Sequence, residues 1–211
     1  MTGVGVTATL GWVAATLGTW SAFAQYSRVR RRGTQGVSRS TWTLLSTLGV
    51  FWVLYGVVVR SWPLATSSAL ALPLQSMIWW RVRPRARSRV AARAVGFALV
   101  CCVVPGLLWG WAGAVVGAGG AGSVTRLPQL ARLLRTSDVI GVSTGSWALA
   151  TVVSALWVAY YAGSRLWAVM VVTAVGGSVS LVIAVTARWR QRQSRVATTG
   201  EPRGVGAEAA T

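Results

Sequence analysis
Apolar residues in this chain run in long stretches, interrupted by clusters of arginine and by short Gly- or Pro-containing steps. A helix needs about 20 mostly apolar residues to cross the hydrocarbon core of a bilayer. Seven stretches are of that order: 4–25, 41–59, 62–80, 91–108, 110–131, 144–162 and 166–187. Gly and Pro inside several of them would weaken a soluble helix, but spanning helices tolerate both where neighbours satisfy the freed backbone groups. The fourth and fifth stretches are the hardest to divide. No charge separates them, only Pro105, Gly106 and the Trp109-Gly110-Trp111 step.

Composition makes the membrane the natural solvent. Of 211 residues, 54% are hydrophobic and 11% charged, against about 25% charged in a soluble domain. All 21 basic residues are arginine, and the only acids are Asp138, Glu201 and Glu208, for a net charge of +18. In a soluble chain that balance would point to nucleic acid. Here the arginines sit between uncharged runs and form no continuous basic face, so the expected partners are the lipid bilayer and a small solute, with no nucleic acid.

The same arginines predict an orientation, because basic residues resist translocation. Five lie between Arg28 and Arg39, six between Arg81 and Arg93, three between Arg126 and Arg135, and five between Arg188 and Arg203. The alternate connections hold only Arg60 and Arg165. Seven spans with this segregation place the N-terminus outside and the C-terminus in the cytoplasm. The first span has no basic n-region and is longer than a signal-peptide core, so it reads as retained. Residues 188–211 read as a disordered cytoplasmic tail. Arginine in place of every lysine, with abundant Ala, Gly and Val, points to a GC-rich bacterial genome and a plasma-membrane location.

The chain also repeats. Gln25, Arg28 and Arg31 recur as Gln129, Arg132 and Arg135, at an offset of 104. Gly36-Val37-Ser38, Trp42, Trp52, Tyr55, Arg60 and Trp62 recur as Gly141-Val142-Ser143, Trp147, Trp157, Tyr160, Arg165 and Trp167, at an offset of 105. A three-helix unit crosses an odd number of times, so two fused directly would point in opposite directions. One extra helix restores the parallel relation that the arginines demand. The expected fold is all-α: a first triple-helix repeat over 4–80, a basic loop and linker helix over 81–108, and a second repeat over 109–187, giving two parallel three-helix bundles in a 3+1+3 plan.

The run Arg126-Leu127-Pro128-Gln129-Leu130-Ala131-Arg132, with Gly141-Val142-Ser143, Trp147 and Leu156-Trp157-Val158-Ala159-Tyr160, resembles a PQ-loop repeat. The whole pattern resembles the SWEET and SemiSWEET (MtN3-type) sugar transporters over about residues 4–187, with Ala24-Gln25 in place of Pro-Gln in the first copy. The resemblance implies a central sugar pocket lined by a tryptophan late in the second helix of each copy and a polar residue on the third. Trp52 and Trp157 match the tryptophan; Ser68 and Thr173 stand where the family carries asparagine. A hydroxyl lacks the two-ended hydrogen-bonding reach of an amide.

Other positions carry more than one reading. An indole face stacks well on the C–H face of a sugar ring, which favours pocket lining for Trp52 and Trp157, with helix packing as the alternative. Pro128 removes a backbone donor and clashes with the carbonyl four residues earlier, so it should loosen the fifth helix, as a hinge or a static kink. Gln25 and Gln129 are amides placed for a cytoplasmic gate or for bonds across helices. Tyr55 and Tyr160, with Arg60 and Arg165, fit an outer gate or simple interfacial snorkelling. Trp109 and Trp111, like other tryptophans near span ends, read as interfacial anchors. Gly106 to Gly110 and Gly113 to Gly117 satisfy a close-packing spacing, and Cys101 and Cys102 read as packing residues, neither a disulfide nor a metal site.

No Asp, Glu, His or Lys falls inside a predicted span, which argues against proton coupling. No nucleophile and base pair, metal cluster or phosphate loop is legible, so neither an enzyme nor a cofactor is expected. The function expected is a uniporter that moves a small neutral polar solute, a sugar in the first instance, by alternating access. Transport of an amino acid or other metabolite, and a non-transporting PQ-loop receptor or accessory protein, are the alternatives; homo-oligomerisation is compatible with either.

Overall fold
A computed structural model of the chain describes residues 2–34, 39–82, 88–135 and 144–199. Gly36-Val37-Ser38, Gly141-Val142-Ser143, Asp138 and residues 200–211 lie outside the described residues. Everything regular is helical: α1 (Thr2–Arg32), α2 (Arg39–Val58), α3 (Trp62–Val82), α4 (Ser88–Val124), α5 (Leu127–Arg135), α6 (Thr144–Gly163) and α7 (Trp167–Thr199). Four of the seven, α2, α4, α6 and α7, contain a stretch long and apolar enough to cross a bilayer. Large apolar side chains stand fully outward, Leu107 at 82% and Trp109 at 69% exposure among them. Water would not tolerate so much contiguous apolar surface on a monomer, and the chain fits a membrane-embedded protein.

The uncertain division at Trp109-Gly110 is a turn. Helical geometry fails at Trp109 (φ −131°, ψ 19°) and Gly110 (φ 59°, ψ −147°), the second a conformation that glycine reaches without a Cβ penalty. The limbs 88–108 and 111–124 then run back along each other. A Cβ at Gly117 would fall on the Cys101 carbonyl, and one at Gly113 on that of Pro105. A continuous helix would hold residues 101 and 117 about 24 Å apart, so this contact defines a hairpin. Gly113 to Gly117 is therefore the face that lets two backbones touch.

α4 stops at Val124 and α5 starts at Leu127. The stop lies four residues before Pro128, at the carbonyl the proline ring would strike. The Leu130 N–H restarts the ladder by donating to the Arg126 carbonyl (3.1 Å). At the corresponding place in α1, where Ala24 replaces the proline, the helix runs unbroken to Arg32. Gly33, at φ 78°, ends it by donating to the Val29 carbonyl (3.1 Å). At the other end of the chain α7 does not stop near 188. It continues through Arg190, Gln191, Arg192 and Gln193 to Thr199, because these residues are good helix formers, and covers the first part of the segment read as tail.

The repeat positions share local structure. α2 and α6 begin and end 105 residues apart, and so do the starts of α3 and α7. Each of the two connecting turns closes the same way. Ser61 N–H donates to Gly56 C=O (2.8 Å) and Arg60 N–H to Val57 C=O (3.1 Å); Leu166 N–H donates to Tyr161 C=O (2.9 Å) and Arg165 N–H to Ala162 C=O (3.2 Å). This paired closure is the Schellman motif. It puts Arg60 and Arg165 in the left-handed region, at φ 54° and 58°.

α3 packs on both α1 and α2, α7 packs on α6 and on α4 and α5, and α1–α6 and α2–α4 contacts join the two sets. Six helical segments thus close a ring, in the order α1, α3, α2, the second limb of α4, α7, α6. Exchanging the sets maps one junction onto the other: the Cβ position of Gly18 lies 3.9 Å from Val153, and that of its counterpart Gly122 lies 3.9 Å from Leu48, the counterpart of Val153. At the end bearing Arg60 and Arg165 the core is common to both sets, joining Tyr55, Leu64, Val115, Tyr160, Tyr161 and Val169. Along the α2–α4 junction the two sets stay joined, through Leu44, Leu48, Ala118 and Ala121. Among the described residues, separate clusters are found only at the arginine-rich tip. Val29, Ile78 and Val82, with Tyr26 and Trp42, form one cluster; Leu133, Ile183 and Ala187, with Leu130 and Trp147, form its counterpart, residue for residue.

Candidate functional site
Trp52 and Trp157 occupy matching positions on α2 and α6, one turn before the C-terminal tyrosines, and both pack partly buried on the shared core. Trp157 stacks on Tyr161 (5.3 Å between ring centres, 16° between planes) and meets Tyr160 edge-on (5.6 Å, 72°). Trp52 meets Phe51 (5.2 Å, 76°) and Tyr55 (6.1 Å, 83°) edge-on. Such pairs contribute about 0.5–1.5 kcal/mol each beyond the area they bury, so this end of the ring is held by aromatic contacts rather than by charge. Trp111 joins the cluster, 6.0 Å from Tyr55 and 6.5 Å from Phe51. Read from sequence, it was only an anchor beside a turn.

The two halves differ at this end. Thr7 stands 104 residues before Trp111 and lies against Gly163, leaving a depression of about 470 Å³ lined by Thr7, Trp12, Arg60, Trp62, Pro63 and Tyr160, among others. Beneath it the Tyr160 hydroxyl is hydrogen-bonded to the Ser61 Oγ (2.8 Å), tying the end of α6 to the α2–α3 turn. Tyr160 and Arg60 thus meet at one mouth, while Tyr55 is buried among rings and Arg165 remains exposed at the α6–α7 turn. A second shallow depression, of about 450 Å³, follows α1 alone beside Trp12.

Ser68 on α3 and Thr173 on α7 are both partly buried. Neither they nor Trp52 and Trp157 line these two depressions. Gln25 is partly buried on the arginine-rich half of α1. The backbone of its repeat partner Gln129 lies in the first turn of α5 beside Pro128; the side chains of Pro128 and Gln129 fall outside the described residues.

One polar group went unnoticed in the sequence because it sits among loop arginines. Arg126 occupies the break between α4 and α5, and its guanidinium turns inward so that Nη1 donates to the Gly176 carbonyl of α7. Ser180 Oγ, wholly buried, donates to the same carbonyl (3.0 Å). Ser123 Oγ lies beside them and donates to the Gly119 carbonyl (2.9 Å). The signal available beforehand was that Arg126 falls inside the predicted span 110–131, whereas its repeat counterpart is Ala22.

No protein-family model matches the chain, and no curated protein sequence is similar to it.

Proposed function
We propose that the chain is a membrane facilitator that moves a small polar solute, sugar-sized in the reading carried by its PQ-loop, SWEET-like residues, by alternating access between two three-helix bundles. The observation that carries this reading is the ring whose core joins both halves around Tyr55 and Tyr160 and along the α2–α4 junction, while two repeat-related clusters stand apart at the arginine-rich tip. Rocking the bundles about the joined part would open or close that tip. In this reading α4 crosses twice, its first limb is the linker, and α1 and α3 complete seven spans in a 3+1+3 plan, with Arg60 and Arg165 outside a bacterial plasma membrane. The aromatic end is then the closed outer gate. Trp52, Trp157, Ser68 and Thr173 are the residues we assign to the solute path, and the break before Pro128 to the cytoplasmic hinge.

Counterflow in proteoliposomes tests this function. Exchange of a labelled sugar or sugar acid should saturate and be indifferent to an imposed pH gradient. It should fall about tenfold in Trp52→Ala and Trp157→Ala, the loss of one aromatic contact of about 1.4 kcal/mol. Failure of every sugar, sugar acid, polyol and amino acid to exchange would refute transport and leave the receptor alternative.

A further inference from the structure
Arg126 is out of place in a purely structural account of the α4–α7 contact. Gly176 lies nine residues beyond Trp167, about 14 Å along the helix, which is near the middle of a hydrocarbon core about 30 Å thick. A cation at that depth is costly, and such residues mark solute or ion paths. Its partner there is a neutral carbonyl that Ser180 already satisfies, so Arg126 is not needed to cap it. A guanidinium has five donors in a planar fork, and no carboxylate occurs among the described residues, since all three acids of the chain lie outside them. The cation appears once in the two halves, at the broken helix, with the first turn of α5 directly behind it adding positive potential. Thr173, already assigned to the solute path, lies one turn outward from Gly176 on α7.

We propose that Arg126 is the recognition site for a carboxylate on the solute, so that the cargo is a small sugar-like acid rather than a neutral sugar. This rests on the transporter reading and narrows it: the guanidinium fork takes the carboxylate in a bidentate pair, and hydroxyls such as that of Thr173 take the rest of the molecule. Recognition of this kind also explains why a span otherwise free of ionisable groups keeps one.

The test compares glucuronate with glucose on the purified full-length chain. Sodium glucuronate should raise the melting temperature while glucose and sodium chloride at equal ionic strength do not. Arg126→Gln should weaken glucuronate binding by about tenfold or more, as expected for hydrogen bonds to a charged group, and Arg126→Lys should restore part of it. Asp138→Asn should leave it unchanged. Equal protection by glucose, or glucuronate binding indifferent to Arg126→Gln, would overturn the proposal. So would an Asp138→Asn variant that loses as much thermal stability as Arg126→Gln, because Arg126 would then be serving an internal carboxylate. If Arg126→Gln does not fold, the wild-type comparison and Arg126→Lys decide. Counterflow separates the two readings: glucuronate that binds while neither it nor any other solute tried exchanges refutes transport and keeps the anion site, whereas glucose exchange unaffected by Arg126→Lys, with no glucuronate protection, keeps transport and removes the site.

Discussion
At Arg60 and Arg165 the backbone holds a left-handed conformation that costs an ordinary L-residue about 1–2 kcal/mol and glycine almost nothing. Glycine would therefore be the less strained residue at both matching turns. Arg60→Gly and Arg165→Gly should each stabilise the protein by about 1 kcal/mol, read as a higher melting temperature in detergent, while solute exchange falls if the guanidinium belongs to the outer gate. The opposite sign is expected at Gly117. Any side chain there meets the Cys101 backbone, which cannot swing aside as a flexible side chain would, so Gly117→Leu should cost more than the about 1–3 kcal/mol of ordinary overpacking. Loss of the monodisperse peak on size exclusion would register it; an unchanged peak and melting temperature would contradict the hairpin contact.

Among the elements, the paired behaviour of α1 and the α4–α5 segment isolates the effect of one residue. Both are built on the same pattern, yet only the one with Pro128 is broken. Pro128→Ala restores the missing N–H and removes the clash with the Val124 carbonyl. The amides from Thr125 to Gln129 should then become protected from hydrogen exchange, and solute exchange should slow if the break is the hinge. Ala24→Pro should do the reverse in α1, exposing the amides around Ala22. Lack of any change in protection at either site would mean that packing on α7, and not the proline, sets the break.

For the molecule as a whole, the proposed seven-span orientation predicts which surfaces an impermeant thiol reagent reaches. In a background with Cys101 and Cys102 replaced by alanine, Ser164→Cys at the α6–α7 turn should react in intact cells. Thr199→Cys, at the far end of α7, should react only after the membrane is opened. Labelling of both in intact cells would overturn the orientation. Under the proposed alternating access, a cross-link between α1 and α6 near Thr7 and Gly163 holds the outer end closed, so exchange should stop while solute binding from the cytoplasmic face survives.

The helical character of the chain, its membrane-length apolar runs and its internal repeat are legible in the sequence. Run lengths, the clustering of arginines and the 104-to-105 offset each depend on one-dimensional order, so they leave their record along the chain. The divided position at Trp109-Gly110, the proline break and the matched tryptophans were read from it too. Sequence could not tell that Trp111 would fill the place that Thr7 leaves open. Nor could it tell that separate clusters would remain at the arginine-rich tip while the rest of the core joins the two halves, since both outcomes depend on which faces meet across the ring. Arg126 shows the limit most plainly. Counted along the chain it is one more basic loop residue; folded, its side chain reaches Gly176, fifty residues away. Only the packing of α4 against α7 decides that a charge expected in water is turned toward the interior.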